Sequence, residues 1–251
     1  MTLKRMAVLI IPAIALMLSA AGDARAQLIT NGSFEKSTFG TTSSELANKV
    51  HPEFGNVLGW TNGGVNAYNV WWNSATAKTV DVVSQFKGVQ RLPSSFTGAS
   101  PDGGYFMGLD GDYRYSGALS QTINHLQAGH EYKLSFYWGA AQLTNRYAPT
   151  TERLQVSLGS QTYNTETLNQ APQGFSGWKK VDFTFKATDS SEVLSFLSIG
   201  GPIGLPPMAL LDGVSLRAVP EPSTLVLSGI SLLGLGGVHL RRRAKSKSVT
   251  V

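Results

Sequence analysis

Cysteine is absent from all 251 residues. That excludes a disulfide framework, a thiol nucleophile and a thiolate metal centre, so stability must come from packing or from an ion held by oxygen. Charge is sparse, at 15% of the chain, and no apolar run reaches the ~20 residues of an ordinary membrane-spanning helix. Long segments of helical period are missing, as is any repeat of fixed length. Neither a G-x-S-x-G elbow nor an H-E-x-x-H helix occurs, which removes the readiest signatures of serine hydrolases and zinc proteases. The histidines offer no substitute. His51 stands before Pro52 without an evident partner, and His125 and His130 flank a predicted turn as surface residues. Paired carboxylates for glycoside hydrolysis leave no sequence signature, because their separation exists only in the fold.

The formal net charge of +5 misleads about partners. Lys4, Arg5 and Arg25 lie near the N-terminus, and Arg241, Arg242, Arg243, Lys245 and Lys247 near the C-terminus. Without them the central segment is close to neutral, whereas a nucleic-acid binder normally shows a basic patch on the domain itself.

Both ends read as processing segments. Lys4 and Arg5 precede an apolar run over 6–18, and Ala24-Arg25-Ala26 offers small residues at the two positions a signal peptidase reads. Residues 1–26 are thus a secretory signal peptide, cleaved before Gln27; an uncleaved anchor is disfavoured by the shortness of the run. At the other end, Pro220-Glu221-Pro222 precedes an apolar stretch over 225–240 and then Arg241-Arg242-Arg243. That stretch reads as a short transmembrane helix, extended by Ser223, Thr224 and snorkelling arginines, with its basic end on the cytoplasmic side. Gly229, Gly234, Gly236 and Gly237 make it small-faced, which permits close approach to another helix. Residues 244–251 form a basic cytoplasmic tail.

The segment between, 27–218, is one domain. In Tyr132-Lys133-Leu134-Ser135-Phe136-Tyr137-Trp138 the even positions are apolar, so one face packs inward. Leu154, Val156 and Leu158 alternate likewise, as do Val181, Phe183 and Phe185, whereas 193–199 is apolar enough for a strand buried on both faces. Asn31-Gly32, Asn62-Gly63-Gly64, Asp102-Gly103-Gly104 and Gly200-Gly201-Pro202 punctuate these runs as turns. The fold class predicted is all-β, an antiparallel β-sandwich. Trp60, Trp138 and Trp178 are assigned to its core.

Aromatic faces and planar polar groups hold sugars, and two clusters qualify. Trp71-Trp72 lies near Tyr68, and Tyr113-Arg114-Tyr115 follows Asp110-Gly111-Asp112. Adjacent strand residues point to opposite faces, so one of Trp71 and Trp72 is core and the other is available to ligand. Tyr113 and Tyr115 share a face if their segment is extended. Asp110-Gly111-Asp112 could ligate calcium, but a plain turn is the preferred reading.

The tail resembles the PEP-CTERM sorting signal of Gram-negative bacteria in its Pro220-Glu221-Pro222 triplet, its Gly- and Leu-rich span and its basic cluster. His239 and the residues after Arg243 depart from that pattern. The resemblance implies cleavage near the triplet by an exosortase, after transient anchoring in the inner membrane. It also implies delivery to the cell surface or extracellular matrix, in company with exopolysaccharide and biofilm. The domain resembles galactose-binding-like jelly rolls of carbohydrate-binding modules. The resemblance rests on Asn31-Gly32-Ser33-Phe34-Glu35, Leu58-Gly59-Trp60, Leu119-Ser120-Gln121-Thr122-Ile123, Gly177-Trp178 and Leu211-Asp212-Gly213-Val214, with Gly213 where Asn is usual. It implies that Glu35 and Asp212 lie on neighbouring first and last strands and hold one structural calcium. Calcium takes several oxygen ligands at about 2.3–2.6 Å; the competing reading is two ordinary strand-end acids. Three functions remain open: a non-catalytic module for extracellular polysaccharide, a structural matrix protein, and a small glycan hydrolase.

Overall fold

The computed structural model describes residues 27–97 and 99–220. The chain divides by contacts into Met1–Arg217 and Ala218–Val251; the fold below is that of the first unit. The signal segment 1–26 and the tail from Glu221 onward, including the helix expected over 225–240 and Arg241, Arg242 and Arg243, lie outside the described residues.

Among the described residues there is no helix. The strands are β1 (Ser44–Glu45), β2 (Thr61–Asn62), β3 (Asn69–Asn73), β4 (Tyr105–Asp110), β5 (Leu119–Asn124) and β6 (Glu131–Gln142). They continue with β7 (Thr150–Leu158), β8 (Gln161–Asn164), β9 (Leu168–Gln170), β10 (Lys179–Lys186), β11 (Ser191–Gly201) and β12 (Pro207–Ala218). One sheet has the order β1-β3-β4-β12-β6-β10; the other is β2-β5-β11-β7-β8, with β9 also on β7. From β4 to β7 and from β9 to β12 the chain crosses from one sheet to the other at every step. Neighbours in a sheet are therefore distant in sequence, as where β11 residues 191–196 pair with β5 residues 119–124. The protein is an antiparallel β-sandwich of the jelly-roll kind.

Side-chain alternation builds the core. On β6, Tyr132, Leu134, Phe136 and Trp138 are buried while Glu131 and Lys133 are exposed. Phe136 meets Phe196 of β11 edge to face at 5.2 Å, joining the two sheets. Each such large apolar side chain contributes ~1.5–3 kcal/mol by leaving water.

A second core lies on the other side of the first sheet. Ala141 differs from Phe136 by an odd number of positions on one strand, so it points away from the second sheet. It packs in a cluster with Val70, Trp72, Phe106 and Leu210 from the strands, and with Ala77, Val82, Leu92 and Phe96 from the connection between β3 and β4. Trp178 and Phe175 close over its edge. The irregular segments 74–97 and 99–104 thus roof the first sheet, whereas among the described residues nothing comparable covers the second.

Two sequence expectations are corrected here. β11 is not buried on both faces: Val193 is 50% exposed, because its outward face belongs to the uncovered sheet. The opening segment is not a strand. Asn31 and Phe34 take left-handed φ values of 54° and 56°, so the chain coils beside β12, touching it where the Val214 N–H donates to Gly32 O at 2.9 Å. A side chain at Gly32 would strike that Val214 carbonyl.

Candidate functional site

The end of the first sheet carries a cleft of about 280 Å³ on the roofed side. Its floor is Asp110, at the end of β4, and Tyr68, just before β3. The roof segment contributes Phe86, Lys87 and Gln90. Asp112, Arg114 and Tyr115 come from the turn after β4, Arg146 from the β6–β7 connection, and Gly204 and Pro206 from the β11–β12 connection. Glycine places that turn. The Gly111 N–H donates to Pro207 O at 2.8 Å and Gly111 O accepts from the Gly200 N–H at 3.0 Å. A Cβ at Gly111 would collide with the Gly200 backbone.

Residues 113–115 form a turn, not an extended run. The N–H groups of Tyr115 and Ser116 both donate to Asp112 O at 2.8 Å. Asp112 is the hub. It accepts from Arg114 Nε (3.0 Å to Oδ1), Arg114 Nη2 (2.5 Å to Oδ2), the Arg114 N–H (3.1 Å) and the Gly204 N–H (2.7 Å). Hydrogen bonding to Arg114 holds its carboxyl down at about 2. Asp110 beside it behaves oppositely: burial raises it to about 7, against the pull of the Asp112 N–H, which donates to Asp110 Oδ1 at 2.7 Å. Burial also raises the Tyr68 phenol, whose hydroxyl donates to Gln90 Oε1 at 3.2 Å.

The turn splits the tyrosine pair. Tyr115 faces the cleft and meets Phe86 edge to face at 5.4 Å, with the Arg114 guanidinium 5.4 Å above its ring. Phe86 meets Tyr68 in the same way at 5.2 Å. Tyr113 does not line the cleft and is 72% exposed. Tyr147, next to Arg146, and Ile203, next to Gly204, are exposed as well, so apolar side chains stand beside three of the cleft's lining segments.

The expectation that one of Trp71 and Trp72 is exposed is corrected: both are buried. Trp72 lies under the roof segment, in the second core. Trp71 points the other way, stacked on Tyr105 at 4.1 Å and on Phe39 at 5.3 Å, with its indole N–H donating to Phe34 O at 2.8 Å. A sheet covered on both faces leaves neither indole to a ligand.

Asp212 is buried in β12 and Glu35 is exposed in the coiled opening segment. The Asp102 N–H (3.0 Å) and the Ser100 hydroxyl donate to Asp212 Oδ2, while Oδ1 is buried without a partner. Burial raises the Asp212 carboxyl to about 7, and the charges of Asp102 and Glu35 push the same way. Glu35 Oε1 accepts from the Tyr105 N–H at 2.9 Å, and the carboxylate lies against Gly103, where a Cβ would clash with it. Among the described residues no set of three or more His, Cys, Asp or Glu forms a metal centre. A cation here would take part of its ligands from hydroxyl and carbonyl oxygen. The orphaned Asp212 oxygen, with the charges of Asp102 and Glu35 acting on the same carboxyl, fits such an ion.

No curated protein matches this chain in sequence. Solved structures similar to it include TmCBM61 in complex with β-1,4-galactotriose, at 15% identity and a TM-score of 0.42, covering 77% of this chain and 99% of that one. The CBM22-1 xylan-binding domain of Paenibacillus barcinonensis Xyn10C is similar at 14% identity and a TM-score of 0.34, covering 74% and 98%. A CBM4 structure is similar at 14% identity and a TM-score of 0.34, covering 76% and 99%. At its C-terminal end, over residues 218–243, the chain carries the PEP-CTERM protein-sorting motif, a signal of exosortase-sorted export.

Proposed function

We propose that this is an exported, non-catalytic carbohydrate-binding protein whose sandwich holds extracellular polysaccharide in the Asp110–Tyr115 cleft. The observation that carries the reading is the cleft itself, in which the Tyr115 and Phe86 rings stand beside planar polar groups of Gln90, Arg114 and Arg146. Sugar C–H faces pack on such rings, and fixed amide and guanidinium groups bond ring hydroxyls. The acids argue against hydrolysis. Asp110 and Asp112 share one turn and are joined through the Asp112 N–H, and Asp112 is saturated by Arg114 and Gly204. Neither stands across the cleft as a separate acid and base. A glycan-array screen of the purified protein tests this: binding to a defined class of glycans is expected. Failure to bind any would leave a matrix protein without a sugar ligand.

The processing belongs to the same reading. Signal peptidase exposes Gln27, the tail helix anchors the chain transiently in the inner membrane of a Gram-negative cell, and an exosortase cuts near Pro220-Glu221-Pro222. The product joins the cell surface or the exopolysaccharide matrix of a biofilm. One structural calcium, held by Glu35 and Asp212 with Asp102 beside them, ties the opening segment to the last strand. Calcium would neutralise the buried Asp212 carboxylate and use its orphaned oxygen.

A further inference from the structure

The charge around the cleft is lopsided. Lys87, Arg114 and Arg146 all line it, against Asp110 and Asp112. Arg114 and Asp112 cancel, since they form a buried-to-exposed ion pair with two forked contacts. Neither Lys87 nor Arg146 forms an ion pair among the described residues, and the one acid whose charge meets Arg146 is the buried Asp110. Elsewhere Arg91, Lys133 and Lys179 are each paired with Asp81, Asp182 and Glu166. The Arg146 Nε–H is moreover buried without an acceptor, an arrangement that costs free energy unless a ligand completes it. Asp110 offsets this surplus only in part at neutral pH, because burial raises its carboxyl to about 7. A protonated carboxyl is a hydrogen-bond donor to an incoming anion.

We infer that the cleft takes a carboxylate-bearing sugar, a uronic acid unit of an acidic polysaccharide, read by the Arg146 guanidinium with Lys87 at the mouth. The inference rests on the carbohydrate reading above and narrows its ligand class. Arg146 suits the planar carboxylate because its fork presents two parallel N–H donors. Tyr115 and Phe86 pack the sugar ring, so a polyanion without sugar rings would satisfy only part of the site.

The test is affinity electrophoresis of the purified protein through gels containing polygalacturonate, fully methyl-esterified polygalacturonate, a neutral galactan or poly-glutamate. Retardation by polygalacturonate is expected. Esterification should abolish it, and poly-glutamate should not reproduce it. Arg146→Gln should weaken it about tenfold or more, as expected for a hydrogen bond to a charged group. Lys87→Gln, on an exposed side chain, should weaken it less and leave folding intact. Retardation that survives esterification or both substitutions overturns the uronate assignment and leaves the carbohydrate reading standing, as does retardation by the neutral galactan alone. Equal retardation by poly-glutamate overturns recognition of the sugar. Retardation by none of the four overturns the inference and counts against the reading beneath it.

Discussion

Replacing Tyr115 by alanine tests ligand contact and folding side by side. The ring lines the cleft, carries the Arg114 guanidinium at 5.4 Å and meets Phe86 edge to face at 5.4 Å. Removing a stacking aromatic from a site costs on the order of 2 kcal/mol, about a thirtyfold weakening. Tyr115 is also half-buried against the second core, so its truncation adds a folding cost of ~1.5–3 kcal/mol. For a domain of this size that lowers the melting temperature by about 2–4 °C per kcal/mol. The expected pattern is therefore a large loss of polysaccharide binding with a moderate loss of stability that leaves the domain folded. Tyr115→Phe keeps the ring and should behave close to wild type. Tyr113→Ala, outside the cleft and mostly exposed, should change neither quantity appreciably. Binding measured by affinity electrophoresis and stability by thermal melting supply the two axes. Equal losses of binding in the Tyr113 and Tyr115 variants, or none in either, would refute the placement of the site.

Four other outcomes follow from the same structure. Trp71→Ala and Trp138→Ala should unfold or severely destabilise the protein in calorimetry, since truncating a buried aromatic costs ~3–5 kcal/mol. Glu152 is buried beside the Thr150 hydroxyl, and burial raises its carboxyl from 4.5 to about 8. The folded state therefore holds a proton that the unfolded chain has lost. Stability should fall between those two pH values, by up to about 1.4 kcal/mol per pH unit. Glu152→Gln should raise the melting temperature near pH 8 and leave it unchanged near pH 4.5; parallel curves at all pH values would contradict this. Chelation should lower the melting temperature, by an amount that at a hundredfold excess of calcium over its dissociation constant corresponds to ~2.7 kcal/mol, and an unchanged melting curve would contradict the calcium site. Glu35→Gln should remove that response. Terminal mass spectrometry of the native exported protein should find Gln27 at one end and no residues far beyond Pro222 at the other.

The framework was legible where one face of a strand is wet and the other dry. The alternation in 132–138 and 154–158 announced β6 and β7, and Asn62-Gly63-Gly64 marked the turn after β2. Legibility failed where a second covering changed the meaning of the pattern. Trp71-Trp72 carries no sign that both faces of β3 are roofed, because the residues that roof it, such as Leu92 and Phe96, lie in an irregular segment. Val193 looked buried because an apolar outward face reads the same whether or not anything covers it. At the cleft, Arg114 and Tyr115 were found through their local cluster. Phe86, Gln90 and Arg146 were not, since each is a single residue brought in from a distant connection. Glu35 and Asp212 were singled out only through resemblance, since one lies in an irregular segment and the other in a distant strand.

The central claim is that the Asp110–Tyr115 cleft holds polysaccharide, and its most direct measurement is a side-by-side affinity gel. Wild type and Tyr115→Ala are run with and without a polysaccharide identified by the glycan array. The account predicts that the polymer slows wild type and leaves the variant near its polymer-free mobility. Equal slowing of both proteins would contradict it.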